Sequence, residues 1–154
     1  MRRIGTDNMD YELEKKMIRS FMNKNFQERL YYELTNKKRD VFIQKMCQYH
    51  DDYLKKECII QRSTKNPSYH VMQQIFKKYD ASKRYYILSF INNFDGVYVE
   101  LETAVEKLSL NGFASFIIGL PSGFTHFKGE SYASTQPNFY LNPLNRFDGK
   151  PWCI

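Results

Sequence analysis

From Tyr11 to Met22 the apolar side chains Leu13, Met17 and Phe21 return every fourth residue, with Ile18 and Met22 beside them and polar residues between. A stripe at helical period predicts an amphipathic helix, with Asp10 as N-cap and Asn23-Lys24-Asn25 as its stop. Asn25 and Glu28 have the spacing of a capping box for a second helix, whose apolar positions are Phe26, Leu30, Tyr31 and Leu34. Thr35 is placed to cap a third, with Phe42, Ile43, Met46, Tyr49, His50, Tyr53 and Leu54 on one side. Cys58 to Gln61 is a short strand candidate. Asn66-Pro67 opens a fourth helix, since proline at the first position loses no bond the helix needs. Val71, Met72, Ile75, Phe76 and Tyr79 form its buried face.

The pattern then changes. Arg84 to Phe90 is rich in aromatic and β-branched residues, as a buried strand would be, and Asn92-Asn93-Phe94-Asp95-Gly96 is turn chemistry. Leu101, Ala104, Val105 and Leu108 recur at helical spacing, and Asn111-Gly112 ends that short helix. Phe113 to Gly119 is a second strong strand, Pro121-Ser122-Gly123 a turn, Phe124 to Lys128 a third strand, and Phe139 to Leu141 a further one.

Strand, helix, strand in succession predicts a right-handed parallel crossover, and the hairpin at Pro121 adds an antiparallel neighbour. The expected class is α/β or α+β: N-terminal helices followed by a small mixed sheet with a βαββ core. One domain over 1–154 fits the length. It divides into a mainly helical basic part at 1–80, a sheet part at 81–142 and a docked tail at 143–154. The tail holds Trp152, and the one plausible internal boundary is Asp80 to Lys83.

Composition narrows the function classes. With 42% apolar and 16% aromatic residues the chain can build a packed core, which disordered sequences cannot. Its longest apolar run, within 113–120, is far short of the ~20 residues a bilayer crossing needs. Arg2 and Arg3 are followed by Asp7, Asp10, Glu12 and Glu14 rather than an apolar stretch, so no export signal is expected and the location is cytoplasmic. Cys47, Cys58 and Cys153 cannot all pair with one another, which argues against a disulfide framework. Residues 1–84 carry 19 Lys/Arg against 11 Asp/Glu, and residues 85–154 carry 4 against 6, so balances of +8 and −2 sum to the net +6. A basic half steers anionic partners.

Candidate chemistry is thin. Cys47, His50, Cys58 and His70 match no standard zinc spacing. Ser122 lies in Pro-Ser-Gly rather than a nucleophile elbow, and no phosphate-cradling glycine loop occurs, so no cofactor and no metal are expected. The leading reading is a non-enzymatic regulatory or immunity-type factor that binds another protein. Its surface would be a rim where Asp95, Gly96, Pro121, Ser122, Gly123, His126 and Glu130 meet. The runner-up is a nucleic-acid-binding module using Lys37, Lys38, Arg39 and Lys45. A third reading is a small enzyme in which His126 pairs with Glu130 or Asp95. No membrane partner is expected, and oligomeric state is left open.

Two stretches carry a family likeness. One is Arg29 to His50, with Leu34, Lys37, Lys38, Arg39, Phe42 and Ile43. The other includes Ser89, Asp95-Gly96, Leu101, Ala104, Gly112, Pro121-Ser122-Gly123 and Gly129-Glu130. Over 29–130 the chain thereby resembles a group of small bacterial proteins of unknown function. That resemblance implies no activity.

Overall fold

In the computed structural model the described residues are 9–36, 38–65, 68–79, 84–89, 94–106, 114–129 and 136–144. Helices α1 (Tyr11–Phe21), α2 (Lys24–Thr35) and α3 (Arg39–Tyr53) come first, then a 3₁₀ turn (Lys56–Cys58) and strand β1 (Ile59–Ser63). Next are α4 (Tyr69–Tyr79), β2 (Arg84–Ser89), β3 (Val97–Val99), the short α5 (Leu101–Ala104), β4 (Ser115–Leu120), β5 (Thr125–Lys128) and β6 (Asn138–Leu141). The strands form one six-stranded sheet in the order β1-β6-β5-β4-β2-β3, antiparallel at every pairing. The class is α+β.

The two sheet faces are filled by different helices. Tyr86, Leu88, Phe116, Ile118, Phe127, Phe139 and Leu141 share one core with Leu13, Met17, Phe21, Leu30, Leu34, Phe42 and Met46 of α1 to α3. Tyr85, Ile87, Ile117, Phe124 and Tyr140 share the other with Met72 and Phe76 of α4 and with Ala104 and Val105. Strand residues alternate between the cores because successive side chains leave a strand on opposite faces. β2, β4 and β5 are almost wholly buried, as strands covered on both sides must be.

The predicted mixed sheet is corrected. Val97-Tyr98-Val99, given no element by the sequence pattern, folds back from the Asp95-Gly96 turn as β3 and pairs with β2. The short helix therefore links β3 to β4, which run parallel to each other with β2 between them. β2 and β4, expected as parallel neighbours, pair antiparallel from Arg84↔Leu120 to Ser89↔Ser115. The first eighty residues also supply β1, which joins the far edge of the sheet beside β6.

Local signals are met unevenly. Asp10 caps α1, its carboxylate accepting from the Leu13 amide at 3.0 Å. The expected capping box at Asn25 and Glu28 is not formed, because α2 already begins at Lys24. Asn23, just ahead of it, donates its side-chain amide to the Asp52 carbonyl at 2.8 Å and ties the start of α2 to the end of α3. Thr35 ends α2 rather than capping α3, its hydroxyl donating back to the Tyr31 carbonyl at 3.0 Å. Cys58 closes the 3₁₀ turn, so the strand starts one residue later than expected. Asn66-Pro67, Asp80 to Lys83, Phe90, Asn92-Asn93, Leu108, Asn111-Gly112, Phe113 and the tail from 145 lie outside the described residues.

Gly96 holds the β2–β3 turn with φ +73, and its amide donates to the Ile87 carbonyl at 2.7 Å. A Cβ there would lie 2.1 Å from Met9 Sδ. Gly96→Ala should therefore lower unfolding free energy in urea by about 1–3 kcal/mol, from the left-handed backbone and the displaced methionine together. An unchanged urea midpoint would contradict this reading of the turn.

Candidate functional site

Three of the residues singled out in the sequence, Arg39, Asp95 and His126, lie in two interior networks on opposite faces of the sheet. On the α1–α3 face, Arg39 is 8% exposed, although a basic triplet Lys37-Lys38-Arg39 at a helix start suggests solvent. Its guanidinium donates to Glu14 Oε1 and Oε2, each at 2.7 Å, and to Asp95 Oδ2 and Oδ1 at 2.8 and 3.0 Å. Two bidentate forks on one planar cation use the geometry that suits arginine to carboxylates. The Tyr86 hydroxyl donates to Glu14 Oε2 at 2.6 Å and accepts from the Asp10 amide at 2.9 Å. The Tyr98 hydroxyl donates to Asp10 Oδ2, and the Ser89 amide donates to Asp95 Oδ1.

Burial raises the Glu14 carboxyl above its usual range, and the hydrogen bonds and charge of Arg39 with the Tyr86 hydroxyl offset only part of that. Burial works against the Arg39 charge too, but the hydrogen bonds it donates to Glu14 and Asp95, together with their negative charge, outweigh it and hold the guanidinium protonated.

On the opposite face, His126 and Lys128 are both fully buried. His126 Nε2 lies 2.7 Å from Asn138 Oδ1, and its ring stacks on Tyr140 at 4.8 Å with Phe76 edge-on at 6.2 Å. Its Nδ1 and the Ser115 hydroxyl have no hydrogen-bond partner among the described residues. Burial, with some help from the charge of Lys128, pushes the His126 imidazole down to about 3 against the Asn138 hydrogen bond. Burial likewise pushes the Lys128 amine down to about 7. The cross-strand register sets Ser89, Ser115, Lys128 and Asn138 in one row, a polar line across this face with His126 beside it.

This geometry does not assemble the expected rim. Antiparallel pairing puts the Pro121 turn at the Arg84 end of β2 and the Asp95 turn at the Ser89 end. Pro121 and Ser122 are exposed, whereas Gly123, Asp95, Gly96 and His126 are buried. His126 and Asp95 lie on opposite faces, so they do not pair. Glu130 lies outside the described residues. The basic cluster is dispersed as well: Arg39 points inward, Lys45 pairs with Glu33, and Lys38 sits over the Tyr32 ring at 5.9 Å. Lys37 is outside the described residues. Arg39 and Asp95, assigned by the sequence to two different sites, bind each other.

An open site lies where the sequence marked none. Among the described residues β1 is an edge strand, and on the α1–α3 face hollows lie between it and the end of α3. Two hollows of about 360 and 570 Å³ share His50, Asp51 and Arg62; Lys56 lines the first and Lys65 the second. Phe139 forms part of the floor, with the His50 ring at 4.9 Å and the Arg62 guanidinium at 5.3 Å from it. The signal that could have found the groove is Ile59-Ile60-Gln61-Arg62, an apolar pair running into polar residues without the alternation of a covered strand.

Among the described residues no three His, Cys, Asp or Glu side chains gather as metal ligands, and no helix is long and apolar enough to cross a membrane. No protein-family model, curated protein or solved structure matches the chain.

Two predictions follow from the interior networks. Arg39→Met leaves two buried carboxylates without their cation and should cost about 3–5 kcal/mol in chemical denaturation. Lys38→Met at the exposed neighbour should stay within about 0.5 kcal/mol. Equal effects would contradict the inward role of Arg39. His126 titrates near 3 in the folded chain and near 6.5 unfolded. Its contribution is therefore complete above pH 6.5 and lost as pH falls toward 3, at about 1.4 kcal/mol per pH unit. Unfolding free energy measured from pH 7 to 4 should show this slope, and His126→Gln should flatten it.

Proposed function

We propose that the chain is a non-catalytic cytoplasmic protein that binds another protein, as a regulatory or immunity-type factor, and that it does so through the β1 edge and the groove beside it. The observation that carries this reading is the contrast between interior and edge. His126, Lys128 and Arg39 with its two carboxylates are buried in the two cores. Ile60, Gln61 and Arg62 of β1, by contrast, are exposed on a strand that among the described residues has one paired side. An exposed strand edge presents backbone donors and acceptors that a second chain can pair with, and proteins use such edges for recognition. Cys58 is a buried free thiol, consistent with a reducing compartment.

Nucleic acid remains the second reading, because Lys56, Arg62 and Lys65 line the groove. Phosphate contacts would make such binding fall steeply with salt.

A photo-crosslinking residue placed at Gln61, against a control at exposed Glu102, tests the reading in extract of the source cell. The expected outcome is one discrete protein adduct at position 61, absent at position 102, and competed away by excess unlabelled wild-type chain but not by its Gln61→Pro variant. Equal labelling at both positions would overturn the reading, and a nuclease-sensitive adduct would favour nucleic acid.

A further inference from the structure

Resting on that reading, we propose that the partner element is an extended acidic segment, which adds to β1 as a seventh strand and sets carboxylates against Arg62, Lys56 and Lys65. The two edges of the sheet differ in a way that selects β1. β3 is three residues long and its residues are half-buried, with Tyr98 held by Asp10 and covered by the Arg84 guanidinium at 4.3 Å. β1 is five residues long, its central three residues are exposed, and Ile60 leaves 39% of its surface in water. The irregular step in its pairing with β6 falls between Ile59 and Gln61, so Gln61 to Ser63 keeps regular register.

Charge selects the occupant. Lys56, Arg62 and Lys65 line the groove against the single carboxylate of Asp51, which itself lies 3.9 Å from His50 Nε2. Arg62 pairs across to Phe139, so it projects on the α1–α3 face, the face on which the groove opens. A strand laid beside β1 presents every second side chain to that face. The matching segment thus carries Asp or Glu at alternate positions, with small or β-branched residues between them. Main-chain hydrogen bonds to the open edge supply affinity and the carboxylates supply choice of partner. An all-cationic partner would be repelled by the same groove.

The test uses the full chain and a fluorescein-labelled probe peptide, Thr-Glu-Val-Glu-Val-Glu-Val-Thr, read by fluorescence anisotropy at low and physiological salt. Expected results are saturable binding of this peptide, at least tenfold weaker binding of the version with Lys for Glu, and loss of binding when alternate peptide amides are N-methylated. Arg62→Glu changes an exposed side chain and should reverse the preference toward the Lys peptide, with the far-ultraviolet circular dichroism unchanged. Equal binding of both peptides, or no effect of N-methylation, overturns the proposal. So does tighter binding of a twelve-nucleotide oligo(dT) than of the acidic peptide. The position-61 adduct separates the two levels. If it forms but neither the acidic peptide nor Arg62→Glu diminishes it, the acidic-strand inference falls and the protein-binding reading stands. If no adduct forms and the peptide does not bind, both fall.

Discussion

One guanidinium between two carboxylates decides how the helical half meets the sheet. Arg39 begins α3, Glu14 lies on α1, and Asp95 sits in the turn between β2 and β3. Removing these charges from water costs several kcal/mol per ion, so the arrangement holds only where every lone pair and proton finds a partner. Here the remaining demand is met by the Tyr86 hydroxyl, the Ser89 amide and the Leu34 carbonyl. Coupling so many directional bonds fixes α1, α3 and the β2–β3 hairpin in one relative placement. Apolar packing alone, which has no direction, would leave neighbouring placements close in energy.

Much of the framework was legible because it rests on periodicity. The stripe of Leu13, Met17 and Phe21, the β-rich run from Arg84 and the cap at Asp10 each report a local preference, and each is where the sequence places it. What failed was non-local. Val97-Tyr98-Val99 is too short to announce a strand, yet its pairing with β2 changes the direction in which the chain enters β4. A parallel crossover between neighbours became a crossover that steps over β2, and the two turns expected at one rim moved to opposite ends.

The candidate site was less legible still, for a physical reason. Charged residues near a helix start or in a turn are usually solvated, so Arg39 and Asp95 were read as surface. Only the tertiary fold reveals that each lies opposite a complement. His126 is the same lesson on the other face. Its neighbours in sequence, Thr125 and Phe127, say nothing of Asn138, Tyr140 and Phe76, which surround it. The β1 groove, in turn, arises from a gap between α3 and a strand whose partner, β6, lies far along the chain. The run Ile59 to Arg62 marks the exposed strand, but the gap itself is set by the tertiary fold.

That pairing of β1 with β6 also shapes how the protein must be made. Some eighty residues separate Ile59 from Leu141, its cross-strand partner. A ribosome delivers β1 long before β6, so for much of synthesis β1 has neither flank covered, and closing so long a loop is entropically slow. The nascent chain is thus exposed to association with its own copies until β6 arrives. The polar Gln61-Arg62-Ser63 sequence guards that interval, since charged and polar side chains on an open flank discourage self-pairing.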